Sequence, residues 1–135
     1  MPYERSEDEF VSAVMSANLL TAAAEDALTD AAHRMAERRV GAILVTEGTL
    51  LTGIMTERDV LRAVGSGDIG GTVGDWMTRH PDTAPPTATI GEAAAMMLHG
   101  GYRHVPIVDG DHAVGIVSIR DLMKVVVDDE SPRGV

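Results

Sequence analysis

No cysteine occurs among the 135 residues, which excludes disulfides, thiolate metal sites and thiol catalysis. Positive charge is scarce as well. Eleven Lys and Arg stand against twenty-one Asp and Glu, a formal net charge of −10. A domain that neutralises nucleic-acid phosphates needs a basic face, so DNA and RNA are excluded as main partners. A small anionic ligand is not, because exposed charges are screened beyond about 8 Å at physiological salt and local arginines decide the case. Long apolar runs are also missing. The longest span about six residues, such as Val40–Val45 with Gly41 counted, far below the roughly 20 that cross a membrane. The opening MPYERSEDEF is acidic, not basic-then-apolar as in a signal peptide. The default expectation is a soluble cytoplasmic protein with neither membrane nor nucleic acid as partner.

What is present is an internal repeat. Gly53-Ile54-Met55-Thr56-Glu57-Arg58-Asp59 and Gly115-Ile116-Val117-Ser118-Ile119-Arg120-Asp121 share one form: Gly, two apolar residues, a hydroxyl residue, a variable position, then Arg-Asp. Sliding residues 11–64 onto 73–126 at a spacing of 62 needs no gap and gives thirteen identities, among them Val11/Val73, Met15/Met77, Ala31/Ala93, Met35/Met97 and Gly48/Gly110. A duplicated unit decides architecture before any residue-level argument. The expected order is an acidic arm at 1–10, one repeat at 11–64, a Gly-rich linker at 65–72, a second repeat at 73–127 and a tail at 128–135. A chain of this length buries about two-thirds of its unfolded surface and needs no metal or disulfide staple.

Within each copy the pattern reads β-α-β-β-α. Short extended pieces at Thr21-Ala22 and Thr83-Ala84 come first, the second kept out of helix by Pro81, Pro85 and Pro86. Leu28, Ala31, Met35 and then Ile90, Ala93, Met97 recur at helical spacing. Thr89 with Glu92 predicts a capping box, and Gly100-Gly101 a helix stop. Apolar strands Ala42–Val45 and His104–Val108 end in Glu47-Gly48 and Asp109-Gly110 turns. The next strands, Leu51–Thr56 and Ala113–Ser118, pass directly into helices. Thr72 with Asp75 marks a further helix start.

The strand-to-helix turn is where chemistry gathers. Thr56 or Ser118 stands beside the unpaired N–H groups of a helix start, a ready site for an anion or a sugar hydroxyl. Asp59 or Asp121 follows within the first turn and can accept the two hydrogen bonds a ribose diol donates. Arg58 and Arg120 suit phosphate oxygens. The same Thr-x-x-Asp and Ser-x-x-Asp are also capping boxes in their own right. Capping and binding can coexist in one residue.

The doubled heptad, the His104-Val105-Pro106-Ile107-Val108-Asp109 segment and the Glu92-Ala93-Ala94…Met97 helix resemble the cystathionine-β-synthase (CBS) domain in tandem, over about residues 11–127. The resemblance implies a Bateman module of mixed α/β (α+β) class: two pseudo-symmetric β-α-β-β-α units packed sheet to sheet, homodimeric, with clefts for AMP, ADP, ATP or S-adenosylmethionine. It implies no required cofactor and regulation of a separate effector protein in trans. By the same resemblance, one cleft uses Ser118, Arg120 and Asp121, with Arg103 and His104 toward phosphate and Thr21, Val40 and Gly41 by the adenine. The other uses Thr56, Arg58 and Asp59 with Thr83 and Tyr102.

The copies differ. Gly41-Ala42 stands where the second repeat has Arg103-His104, Leu44 opposite Pro106, and Leu19 opposite Pro81. Fewer cations in the first repeat make the Asp121 site the better expected phosphate site. The five histidines lack paired spacing such as His-x-x-x-His, which argues against a metal. No nucleophile elbow, Walker loop or paired acid–base carboxylates are present, so an enzyme is not expected. The alternative to a nucleotide sensor is a ligand-free dimerisation scaffold on the same fold.

Overall fold

Each repeat forms the helices and the paired long strands its periodicity dictates, but of the two expected short extended pieces Thr21-Ala22 is a strand and Thr83-Ala84 only an isolated bridge from Ala84 to Ile107. The structure, a computed structural model, describes residues 8–130, with side chains as far as residue 125. Most of the expected arm and tail therefore lies outside the described residues. A turn of 3-10 helix at Val11–Ala13 is followed by β1 (Thr21–Ala22), α1 (Leu28–Arg38), β2 (Ala42–Glu47), β3 (Leu50–Thr56), α2 (Glu57–Ser66), α3 (Val73–Trp76), β4 (Thr78–Arg79), α4 (Ile90–Gly100), β5 (His104–Asp109), β6 (His112–Ser118) and α5 (Ile119–Glu130). This is the mixed α/β class expected. The capping box at Thr89 forms: Thr89 N–H donates to Glu92 at 2.8 Å and Glu92 N–H to Thr89 Oγ1 at 3.1 Å. Gly101 closes α4 in the left-handed region, where a residue without Cβ is unstrained. At the same place in the first repeat, Arg39 takes that conformation with φ of 56°. The sequence pattern did not anticipate this.

Compactness divides the chain differently from the repeat. One unit comprises Asn18–Pro81 with Asp111–Ala113. The other comprises Asp82–Gly110, the chain from Val114 and the stretch ending at Ala17. In the first, β1 runs parallel to β2 with Thr21 opposite Leu44, and β2 pairs antiparallel with β3, Ala42 opposite Thr56. β4 then adds to β3, with Ile54 opposite Thr78. Leu28 N–H donates to the Gly71 carbonyl at 3.0 Å and Val73 N–H to that of Asp26 at 2.8 Å. The opening segment of the second repeat thus completes this unit. Val73 joins Leu28, Met35, Ile43, Val45 and Met55 in its core.

The second unit repeats this exchange 62 residues displaced, with isolated bridges at Ser16–Ile116 and Ala84–Ile107 where the first has short strands. Ile90 N–H donates to Glu9 at 2.8 Å and Val11 N–H to Ala88 at 2.7 Å, while Ser16 bridges Ile116. β5 and β6 are hydrogen-bonded neighbours. Val11 packs with Ile90, Met97, Val105, Ile107, Val117 and Leu122. Fully burying one such aliphatic side chain stabilises by about 1.5–3 kcal/mol, enough to hold a short segment that has little helix or strand content of its own.

The exchange explains the first residue of each heptad. A Cβ on Gly53 would stand 2.8 Å from the Thr78 carbonyl oxygen and 2.9 Å from Met77 Sδ. A Cβ on Gly115 would stand 2.9 Å from Met15 Cγ and nearer still to its sulfur. Neither glycine needs a positive φ. What each supplies is room for the methionine of the exchanged segment, a packing role where the motif alone suggested a ligand role.

Candidate functional site

β3 and β6 deliver Thr56 and Ser118 to the start of a helix, and both turns bond in the same way. Thr56 N–H donates to Asp59 Oδ2 at 2.9 Å. Ser118 N–H donates to Asp121 Oδ2 at 2.8 Å. Asp121 N–H in turn donates to Ser118 Oγ at 3.1 Å. The next N–H is taken by the loop before the repeat's first long strand, Glu57 N–H by the Gly41 carbonyl at 3.0 Å and Ile119 N–H by that of Arg103 at 2.9 Å. Most of the N–H groups expected to be unpaired are therefore satisfied internally. Each turn instead presents a rigidly oriented carboxylate rather than an anion nest. The reason is long-range: Gly41 and Arg103 arrive from loops that local sequence does not place there.

The two carboxylates differ in what remains open. Asp59 is buried, its side chain 8% exposed. Its Oδ2 also accepts from the Thr56 hydroxyl at 3.3 Å, and its Oδ1 receives Arg62 Nη1 at 3.0 Å. The Arg62 guanidinium lies over the indole of Trp76, 5.6 Å from the ring centroid. Asp121 is half-buried, and its Oδ1 has no protein partner among the described residues. Lys124 stands where the first repeat has Arg62, exposed and without an ion pair to Asp121. Arg62 and Trp76 were not among the site residues expected from the sequence. Arg62 was legible as an i,i+3 partner of Asp59; Trp76 arrives with the exchanged segment and had no local signal.

The other residues divide by unit. Thr21, Val40 and Gly41 lie with Thr56 and Asp59; Thr83, Tyr102, Arg103 and His104 lie with Ser118 and Asp121. The Thr21 carbonyl accepts from Arg34 Nη1 at 2.7 Å, which pins β1 to α1. Val40 is 39% exposed. Arg58, Arg103 and Arg120 are exposed cations. Tyr102 donates to Asp82 at 2.9 Å. Burial first, then that hydrogen bond and the Asp82 charge, push its phenol up to about 12. Its hydroxyl stays protonated and committed to Asp82. Among the described residues no cluster of three or more His, Asp or Glu could hold a metal ion. No described helix is long and apolar enough to cross a membrane.

Comparison with known proteins gives this geometry its relatives. The CBS domain family model matches twice, over residues 11–66 and 73–128. An uncharacterized 17.7 kDa protein from the bps2 3′ region of Acidianus ambivalens is 34% identical over 103 residues, 75% of this chain. This chain spans only 63% of that relative's length. Among solved structures, the CBS domain protein PAE2072 from Pyrobaculum aerophilum, complexed with AMP, superposes with a TM-score of 0.82 at 25% identity, over 92% of this chain and all of that one (100%). The CBS domain pair of protein MJ0100, in complex with 5′-methylthioadenosine and S-adenosyl-L-methionine, also gives 0.82 at 25% identity, covering 87% of this chain and 94% of that one. With two family matches over most of its length and a heptad turn built alike in both repeats, the chain belongs to the CBS domain family.

Proposed function

We propose that this protein is a non-catalytic regulatory module that senses an adenosine-containing ligand, AMP, ADP, ATP or S-adenosylmethionine. The observation that carries the reading is the Asp121 turn. Its carboxylate is fixed through Oδ2 by the Ser118 N–H while Oδ1 keeps its accepting capacity, which suits the hydroxyl of a ribose. The exposed Arg120 and Arg103 on the same unit offer charge to phosphate oxygens. Relatives of the same fold crystallised with AMP or S-adenosyl-L-methionine support the ligand class. Binding favours one arrangement of the module, and that preference is transmitted to a partner protein in trans by ordinary linkage. The module acts as a cytoplasmic homodimer, and the exposed Leu61, Leu98 and Met123 of its helices are suited to such an interface.

The test is thermal unfolding with AMP, ADP, ATP and S-adenosylmethionine. A ligand at a hundred times its dissociation constant adds about 2.7 kcal/mol, a rise of about 5–15 °C at this size. The Asp121→Ala variant loses that shift and Asp59→Ala keeps most of it. The reverse order sinks the ranking of the two sites. No shift with any ligand favours the dimerisation scaffold instead.

A further inference from the structure

The two heptads have the same sequence form, yet among the described residues Asp121 alone of the two keeps a carboxylate oxygen without a partner. At Asp59 both oxygens are used inside the protein, Oδ2 by the Thr56 N–H and hydroxyl, Oδ1 by Arg62. Arg62 is held from a second side. Its guanidinium stacks over Trp76, and that residue is fixed because Val73 is fully buried in the core of the same unit. A planar guanidinium that donates to a carboxylate occupies the ground a ribose diol would occupy. We propose that Arg62 is an internal competitor that closes the first repeat to adenosine compounds, with Trp76 as its rest.

The inference rests on the proposed nucleotide reading and deepens it, because it names what distinguishes the two sites. Scarcity of cations is then not the whole difference; one cation sits in the wrong place for a ligand. In the second repeat the equivalent position is Lys124, which makes no such pair with Asp121. Lysine lacks the planar fork that suits a carboxylate. Arg62 is itself 60% exposed at its side chain, so the closure is weak and reversible. A partly exposed ion pair shifts an equilibrium by up to about fivefold, and stacking on an indole adds a similar factor.

Calorimetric titration with adenosine, and separately with AMP, tests this. Adenosine carries no phosphate, so loss of the Arg62 charge cannot weaken it directly. In an Asp121→Ala background, which removes the second site, Arg62→Met keeps an aliphatic stem over Trp76 and frees Asp59. The expected result is adenosine affinity at least about threefold above that of Asp121→Ala alone. The reciprocal change, Lys124→Arg in the otherwise natural chain, is expected to weaken adenosine by a smaller factor, because Val14 stands at the position equivalent to Trp76 and supplies no indole. Unchanged or weaker adenosine and AMP binding on Arg62→Met overturns the inference and, if the natural chain still binds, leaves the nucleotide reading standing. Absence of binding by the natural chain and by every variant overturns both.

Discussion

Gly115→Val tests the exchanged architecture most directly. A Cβ at this position already approaches Met15 Cγ to 2.9 Å, well inside ordinary van der Waals contact, and valine adds two further methyl groups. Overpacking of this kind costs about 1–3 kcal/mol; the near atoms all belong to the flexible Met15 side chain, which can shift, so the cost falls in the middle of that range, about 2 kcal/mol. For a chain of this size that lowers the thermal midpoint by roughly 7 °C. Met15 is half-buried, and Met15→Ala alone costs about 2 kcal/mol. In that background the valine occupies vacated space, so its own cost falls below about 1 kcal/mol, a coupling of at least about 1 kcal/mol across the pair. Gly53 behaves otherwise. There the nearest atom is the Thr78 backbone oxygen at 2.8 Å, ahead of Met77 Sδ, and β4 is paired to β3. Met77→Ala therefore recovers only a minor part of the Gly53→Val cost. Midpoints of the four single and two double variants decide the matter. An equal valine cost at Gly115 with and without Met15 refutes the packing of the opening segment against β6. Full recovery at Gly53 refutes the role assigned to the carbonyl.

Two further outcomes follow from the same geometry. Arg39 holds φ of 56° at the C-terminus of α1, where the second repeat has Gly101 at φ of 75°. Arg39→Gly relieves left-handed strain of about 1–2 kcal/mol less the added unfolded-state entropy, so the midpoint rises by about 2–4 °C, measured by calorimetric scanning. Tyr102, pushed up to about 12 from 10.0 by burial and Asp82, keeps its stabilising contribution below pH 10 and loses it as pH rises through about 12. Tyrosinate absorbance followed against pH is expected to show the Tyr102 transition move down in Asp82→Asn, partway because burial remains. An unchanged transition dismisses the Asp82 contact.

Much of the fold was legible because its determinants are local. Leu28, Ala31 and Met35 at helical spacing dictate which face of α1 is buried. Thr89 with Glu92 starts α4, and Gly48 and Gly110 sit in the left-handed turns that join paired strands. The doubled heptad located both Asp59 and Asp121, because a carboxylate two residues into a helix that follows a strand is a pattern of adjacent positions. What periodicity cannot carry is the meeting of segments distant along the chain. That Val11 and Val73 complete the other repeat's core, that Gly53 and Gly115 make room for methionines, and that Gly41 and Arg103 consume a helix N–H each depend on where loops return. Part of the difference between the two sites is of this kind as well. Both carboxylates, and the thinner supply of cations around Asp59, are local features that the sequence carries openly. The pairing of Arg62 with Asp59, while Asp121 Oδ1 has no partner among the described residues, comes from the folded chain, because an indole brought from 14 positions away sets where the Arg62 guanidinium rests.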